Sequence, residues 1–291
     1  MRIDWLTLER LPDVQRFIEK RWRPGHVLAR DEALLRWQHR SLADPERLAI
    51  LGAEQDGELV GMLGLIEFEA CVGARRGRGA WMTNWLVTPE HRGEGIGSAL
   101  AERACSEYEL VGALDANDAT RAALSRAFVE RPILRWALPY DLAAMPGEPE
   151  WLDESASPAA PFAGACRDEE FVAWRYRKHP RFEYTVLEGF AAYRLAGSVL
   201  RIVDFLGDEA LAERVADAGR RADAVYAEFL CHSPGYGAPL EAVGFRRARG
   251  LPSRFEPLDL SPRPEISCFW GYDGDLYVTA ADSDLDRPNS L

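Results

Sequence analysis

The stretch TPEHRGEGIGSALAERA, Thr88 to Ala104, decides how this chain reads. Gly93, Gly95 and Gly97 fall within five positions directly behind Arg92, and a helix-like run follows at once. The first turn of a helix exposes backbone N–H groups without internal partners and carries a partial positive charge. It therefore holds a phosphate wherever the backbone can come close. Side chains beyond Cα would block that approach, whereas glycine clears the way and permits positive φ. Arg92 adds a charge-assisted contact. The loop reads as an anion cradle; the alternative is a tight strand-to-helix connection with no ligand. Two familiar phosphate loops do not fit. A Walker loop needs Lys and then Ser or Thr after its last glycine, where Ser98 and Ala99 stand, and a dinucleotide fingerprint needs glycine at Ser98.

Around the loop, WMTNWLV reads as a strand running into it and GSALAERACSEY as the helix leaving it. Upstream lie a strand, RIDWLTL, and a helix with Leu11, Val14, Phe17 and Ile18 at helical spacing. A short helix in DEALLRWQHR follows, then two antiparallel strands joined at Asp56-Gly57. CVGARRGRGA reads as a loop whose Arg75, Arg76 and Arg78 are solvated, since the strand after it separates them from the cradle by about 25–30 Å. Downstream come a strand ELVGALDA, a helix from Asp118 to Phe128 and a strand ILRWALPY. AAMPGEPEWLDESASPAAPFAGA has linker composition, and the order of elements then partly repeats. The expectation is an α+β protein of two domains, 1–143 and 166–291, with a linker over 144–165. Each domain is a mixed, mostly antiparallel twisted sheet flanked by helices.

Charge and composition narrow the partners. With 35 basic and 47 acidic residues the net charge is −12, which repels nucleic acid and anionic membrane over most of the surface. No stretch reaches the roughly 18 apolar residues of a membrane span, and the N-terminus has no signal-peptide core. Five widely spaced cysteines without a two-residue gap read as reduced thiols in a cytoplasmic protein. His26, His39, His179 and His232 show no ligand spacing, so no metal is expected. Oligomeric state is not legible.

Arg92-Gly93-Glu94-Gly95-Ile96-Gly97, behind WLVTPEH, resembles the signature Arg/Gln-x-x-Gly-x-Gly/Ala of the GCN5-related N-acetyltransferases (GNAT). The resemblance covers residues 1 to 140 in element order. Over the second half it rests on strand order and on Gly244-Phe245, and it implies a tandem arrangement with a degenerate second copy. It implies that Arg92 to Gly97 with Ser98 bind the pyrophosphate of acetyl-coenzyme A, or of another acyl-CoA. It further implies that the backbone of Leu86 and Val87 pairs with the pantetheine arm, and that Asn117 lies near the coenzyme. The tyrosine that the family uses as general acid is replaced by Ala123.

The implied chemistry is acyl transfer from a thioester to an amine, which needs a proton acceptor and a stabilised oxyanion. Glu67 is the candidate base, with Glu69 beside it, acting through water ordered by Asn84; the bland reading makes both glutamates solvent-facing strand residues. Trp174 and Tyr176, in WRYRKHPRFEY, are candidates for a substrate-facing wall or for core packing. DSDLDRPN reads as an acidic tail able to attract a cationic amine. The expected acceptor is a small-molecule amine such as an amino sugar or amino acid. An acyl-CoA-binding sensor or scaffold without turnover is the alternative.

Overall fold

The computed structural model describes residues 1–114, 116, 118–147, 149–152, 161–249, 251, 266–272, 274–282 and 286. They fall into two compact units: the described residues of Met1–Glu130 and Cys268–Asp273, and those of Arg131–Ser267 and Gly274–Asp286.

The first unit opens with β1 (Arg2–Thr7), followed by α1 (Leu11–Arg21), α2 (Val27–Arg30) and α3 (Glu32–Gln38). Leu11, Val14, Phe17 and Ile18 recur at 3.6-residue spacing and are buried together, which is why α1 lies on the sheet. Asp31 starts α3 by accepting the Leu34 N–H at 3.0 Å. β2 (Arg47–Gln55) and β3 (Glu58–Val72) form a hairpin whose turn residues Asp56 and Gly57 have φ of 52° and 84°, the two positive values of a type I′ turn. β3 continues into β4 (Arg75–Val87) through a second hairpin. The stretch expected as a loop thus belongs mostly to strands: Arg76 pairs with Glu69 and Arg78 covers the Tyr108 ring. α4 (Ile96–Glu107) carries the chain to β5 (Leu110–Leu114), parallel to β4, and α5 (Asp118–Leu124) follows. With β14 (Ile266–Trp270) antiparallel to β5, the sheet order is β1-β2-β3-β4-β5-β14.

β6 (Val129–Pro139) runs past the division between units, because Leu134 to Pro139 pair with β12 of the second unit. The first unit's N-terminal stretch runs to Glu130, and Cys268–Asp273 returns to it. The second unit contains β7 (Glu150–Leu152), β8 (Ala163–Ala165), α6 (Glu169–Val172) leading into a π-helical turn, Ala173–Arg177, and β9 (Thr185–Leu187). β10 (Ala191–Ala196), β11 (Val199–Phe205), α7 (Glu209–Arg221), β12 (Tyr226–Cys231), α8 (Ala238–Ala242) and β13 (Arg246–Arg249) complete it. Its sheet runs β9-β10-β11-β12-β6, with β13 also on β6, and β11 and β12 are its parallel pair. Both units are thus mixed, mostly antiparallel sheets with a helix crossing between two parallel strands.

The second unit is held by buried ion clusters. Arg167 donates to Asp204 and Asp282, each at 2.6 Å, and Asp204 also accepts from Tyr176 at 2.6 Å and Tyr277 at 2.5 Å. Asp286 accepts from Arg194 at 2.5 and 3.0 Å, from Arg201 at 3.4 Å and from Tyr184 at 2.8 Å. The aspartates at 282 and 286 are therefore buried partners of arginines and not a solvated tail. Cys105, Cys231 and Cys268 are free thiols.

Burial alone would raise the pKa of Asp286. The Arg194 hydrogen bonds, the charges of Arg194 and Arg201 and the Tyr184 hydroxyl outweigh it and hold the group down to about 2. A carboxylate depressed in this way stabilises the fold fully above its unfolded value near 4, and that contribution is lost as pH falls through the folded value. The difference corresponds to about 2 kcal/mol. We expect the thermal midpoint to drop between pH ~4 and ~2. Asp286→Asn should be less stable at neutral pH and flatter across that window, and parallel pH profiles for the two proteins would contradict this.

Candidate functional site

The glycine-rich loop joins the end of β4 to the start of α4. Thr88 donates its N–H to Val60 at 2.9 Å, a turn over Pro89–His91 follows, and the Arg92 side chain bonds back to the Val87 carbonyl at 3.3 Å. Gly93 and Gly95 have φ of 87° and 80°, the left-handed region that favours glycine. A Cβ at either position would meet nothing within 4 Å, so both face open space. Gly95 is the N-cap of α4, and its carbonyl accepts the first helical bond from Ala99 at 3.0 Å. No side chain caps this helix, leaving its first-turn N–H groups to an external acceptor. Arg92, Gly93, Glu94, Gly95 and Ser98 are exposed. Ile96 is buried against Gly61 of β3 and anchors the helix. Gly97 has a different reason: a Cβ there would lie 3.3 Å from the Trp85 indole nitrogen.

Just before the loop, β4 leaves its parallel neighbour. Pairing with β5 runs from Gly79↔Leu110 to Met82↔Ala113. On its other edge β4 continues along β3 to Gly61↔Val87, with a bulge between Gly64↔Thr83 and Met62↔Leu86. There Asn84 and Trp85 oppose Leu63, and Asn84 takes φ of 49°. The extra residue bends the strand. Leu86 packs against the core cluster that holds the buried faces of α1, α2 and α3, whereas Trp85 and Val87 pack against the cluster that holds the buried face of α4. The main chain of Leu86 and Val87 thus lies beyond the last β5 pairing and directly ahead of the cradle.

The expected base is placed otherwise. Glu67 is 1% exposed and pairs with Ala80, roughly 20 Å back along the strand from Val87. Its carboxylate accepts from the Leu42 N–H at 2.6 Å, Arg47 at 3.2 Å and the Tyr108 hydroxyl at 2.5 Å. It is neither a solvent-facing residue nor a group open to a substrate amine. Burial, with the Glu67 charge beside it, pushes the Tyr108 phenol far above its ordinary range and keeps it a donor. Glu69 is exposed and paired with Arg76. Asn84 is 6% exposed and its amide meets His39 Nε2 at 2.8 Å. It faces the layer of α3 and not an open site. Sequence reasoning missed His39, Arg47 and Tyr108; each lies twenty or more residues from its partner, so no spacing announced them.

The structure does not bring Trp174 and Tyr176 to a surface. Both are buried against Phe171, and the Tyr176 hydroxyl is committed to Asp204. Asn117 lies outside the described residues. At the equivalent crossing in the second unit, Asp208 caps α7 by accepting from Leu211 at 2.9 Å, and a Cβ on Gly207 would stand 2.4 Å from the Leu211 side chain. This helix start is filled by its own residues. Among the described residues no group of three or more His, Cys, Asp or Glu is arranged to hold a metal, and no helix is long and apolar enough to cross a membrane.

Residues 11–128 match the family model described as the acetyltransferase (GNAT) family. The fold resembles a GCN5-related N-acetyltransferase from Kribbella flavida (TM-score 0.55, 20% identity, covering 78% of this chain and 63% of that one). It also resembles a conserved protein from Enterococcus faecalis V583 described as "Probable N-Acyltransferase" (TM-score 0.56, 12% identity, covering 92% of this chain and 71% of that one). This chain therefore spans 63% of the length of the first structure, and at such identities the likeness is one of fold. No curated protein matches the sequence.

Proposed function

Taking residues 11–128 as a domain of the GNAT acetyltransferase family, we propose that the chain transfers an acyl group, acetyl in the first instance, from coenzyme A to the amine of a small molecule. The observation that carries this reading is the pair of open, positive-φ glycines at an uncapped helix start, directly behind a strand edge released from its parallel neighbour. The first-turn N–H groups of α4, with Arg92, hold the pyrophosphate. The freed backbone of Leu86 and Val87 accepts the pantetheine amide as a strand would. Glu94, Ile96, Gly97 and Ser98 complete the coenzyme contact, Asn117 lies near it, and the second unit is a degenerate copy without a coenzyme site.

The amine nitrogen attacks the thioester carbonyl, the C–S bond breaks, and the thiolate leaves. We assign Glu67 to holding β2, β3 and the start of β5 together, and assign the amine's proton to solvent. The net charge of −12 favours a cationic acceptor over an anionic one, in keeping with an amino sugar or amino acid. Under this assignment Glu67→Gln loses about 1–3 kcal/mol of stability because Arg47 is left without its charge partner. Its turnover, measured where the variant is folded, should stay within a few-fold of the parent. A hundredfold slower, fully stable variant would restore Glu67 as the base.

The second reading, a coenzyme-binding sensor without turnover, is favoured by Ala123 standing where the family's general acid would be. Release of free thiol from acetyl-CoA over a panel of small amines separates the two. Amine-dependent release supports the transferase, and coenzyme binding without release supports the sensor.

A further inference from the structure

We propose that His39 and Asn84 form a positioning pair that fixes the bend of β4, and so sets where the Leu86–Val87 backbone is presented. The proposal rests on the acyl-CoA reading of the first unit.

The bend depends on one extra residue. Asn84 sits in the bulge with φ of 49°, one residue past the Thr83 that pairs with Gly64 and two past the last β5-paired position. Asparagine tolerates this conformation better than most residues, but tolerance does not choose the direction in which the strand leaves. The Asn84 side chain does, because its amide meets His39 Nε2 at 2.8 Å in a buried setting.

His39 is held from four sides. Its backbone N–H closes the end of α3 on Leu35 at 3.0 Å, and its carbonyl accepts from Ala49 of β2 at 2.8 Å. Its Nδ1 lies 2.8 Å from the Leu65 carbonyl of β3, which can only accept, so Nδ1 carries the proton and Nε2 is the acceptor. The Asn84 Nδ2 and the Gln38 amide, at 3.2 Å, donate to it. The ring also fills the space over Gly64, where a Cβ would come within 2.6 Å of Cε1. An imidazole fixed by α3, β2 and β3 thus grips the bulge of β4. Asn84 is a positioning residue acting through the backbone, and His39 is the anchor.

The bend concerns the strand edge and not the glycine cradle, so the two halves of coenzyme A respond differently. The full chain and its variants Asn84→Gly and Asn84→Asp are titrated with acetyl-CoA and with 3′-phospho-ADP, the nucleotide half of the coenzyme. Glycine keeps the positive φ without the amide, and aspartate keeps the shape but loses the donor. Both variants should bind acetyl-CoA about tenfold more weakly, as the loss of one buried hydrogen bond implies, with 3′-phospho-ADP affinity unchanged. His39→Phe, which keeps a ring over Gly64, should give the same loss, and adding Asn84→Gly to it should cost little more. Equal weakening of both ligands, or none, in folded Asn84 variants overturns the pair. A parent protein that binds neither ligand removes the acyl-CoA reading itself, and the pair's purpose with it.

Discussion

Gly95→Asp is expected to abolish coenzyme A binding while leaving the fold intact. The position takes φ of 80° and a Cβ there meets no neighbour within 4 Å, so aspartate, one of the residues that enters this region most readily, can be housed. Its carboxylate then projects into the space the pyrophosphate needs. It can also accept from the first-turn N–H groups of α4, capping the helix in the phosphate's place. Exclusion, repulsion and lost donors together amount to several kcal/mol, or about a hundredfold or more in affinity. Calorimetry should show no binding, with a thermal midpoint equal to or above that of the parent. Undiminished affinity in the folded variant would remove the cradle from the account.

The second large effect concerns the second unit. Asp204 is 0% exposed and accepts from Arg167, Tyr176 and Tyr277. Asp204→Ala leaves a buried guanidinium with Asp282 as its remaining carboxylate and withdraws the acceptor common to two buried phenols. Breaking a buried pair from one side costs about 3–5 kcal/mol, because the partner stays desolvated. Urea unfolding should show the loss in full, and a change below about 1 kcal/mol would mean that water or a rearranged partner satisfies Arg167. Coenzyme affinity is expected to survive wherever the protein is folded, since the cradle belongs to the first unit.

The parts of this molecule that were legible in the sequence are those whose causes are local. Asp56-Gly57 announces a tight hairpin, and Leu11, Val14, Phe17 and Ile18 announce a buried helix face. Arg92 to Gly97 announce a loop that needs open backbone. What the sequence hid depends on distant strands meeting. Glu67 looks like one more polar residue in an alternating strand until Arg47 and Tyr108 close on it from β2 and the far end of α4. WRYRKHPRFEY leaves a substrate-facing wall and core packing both open. Its Trp174 and Tyr176 turn inward because Asp204, about thirty residues on, takes the tyrosine hydroxyl. Asp282 and Asp286 of DSDLDRPN read as solvated because Arg167 and Arg194, their partners, lie some hundred residues earlier.

The most direct test is a calorimetric titration of the intact protein, freed of bound ligand, with coenzyme A. Under the proposed function the pyrophosphate binds at the open glycine loop of the first unit, while among the described residues the corresponding helix start of the second is closed by Asp208 and Leu211. The predicted stoichiometry is one coenzyme per chain, lost in Gly95→Asp; two equivalent sites, or no binding at all, would contradict it.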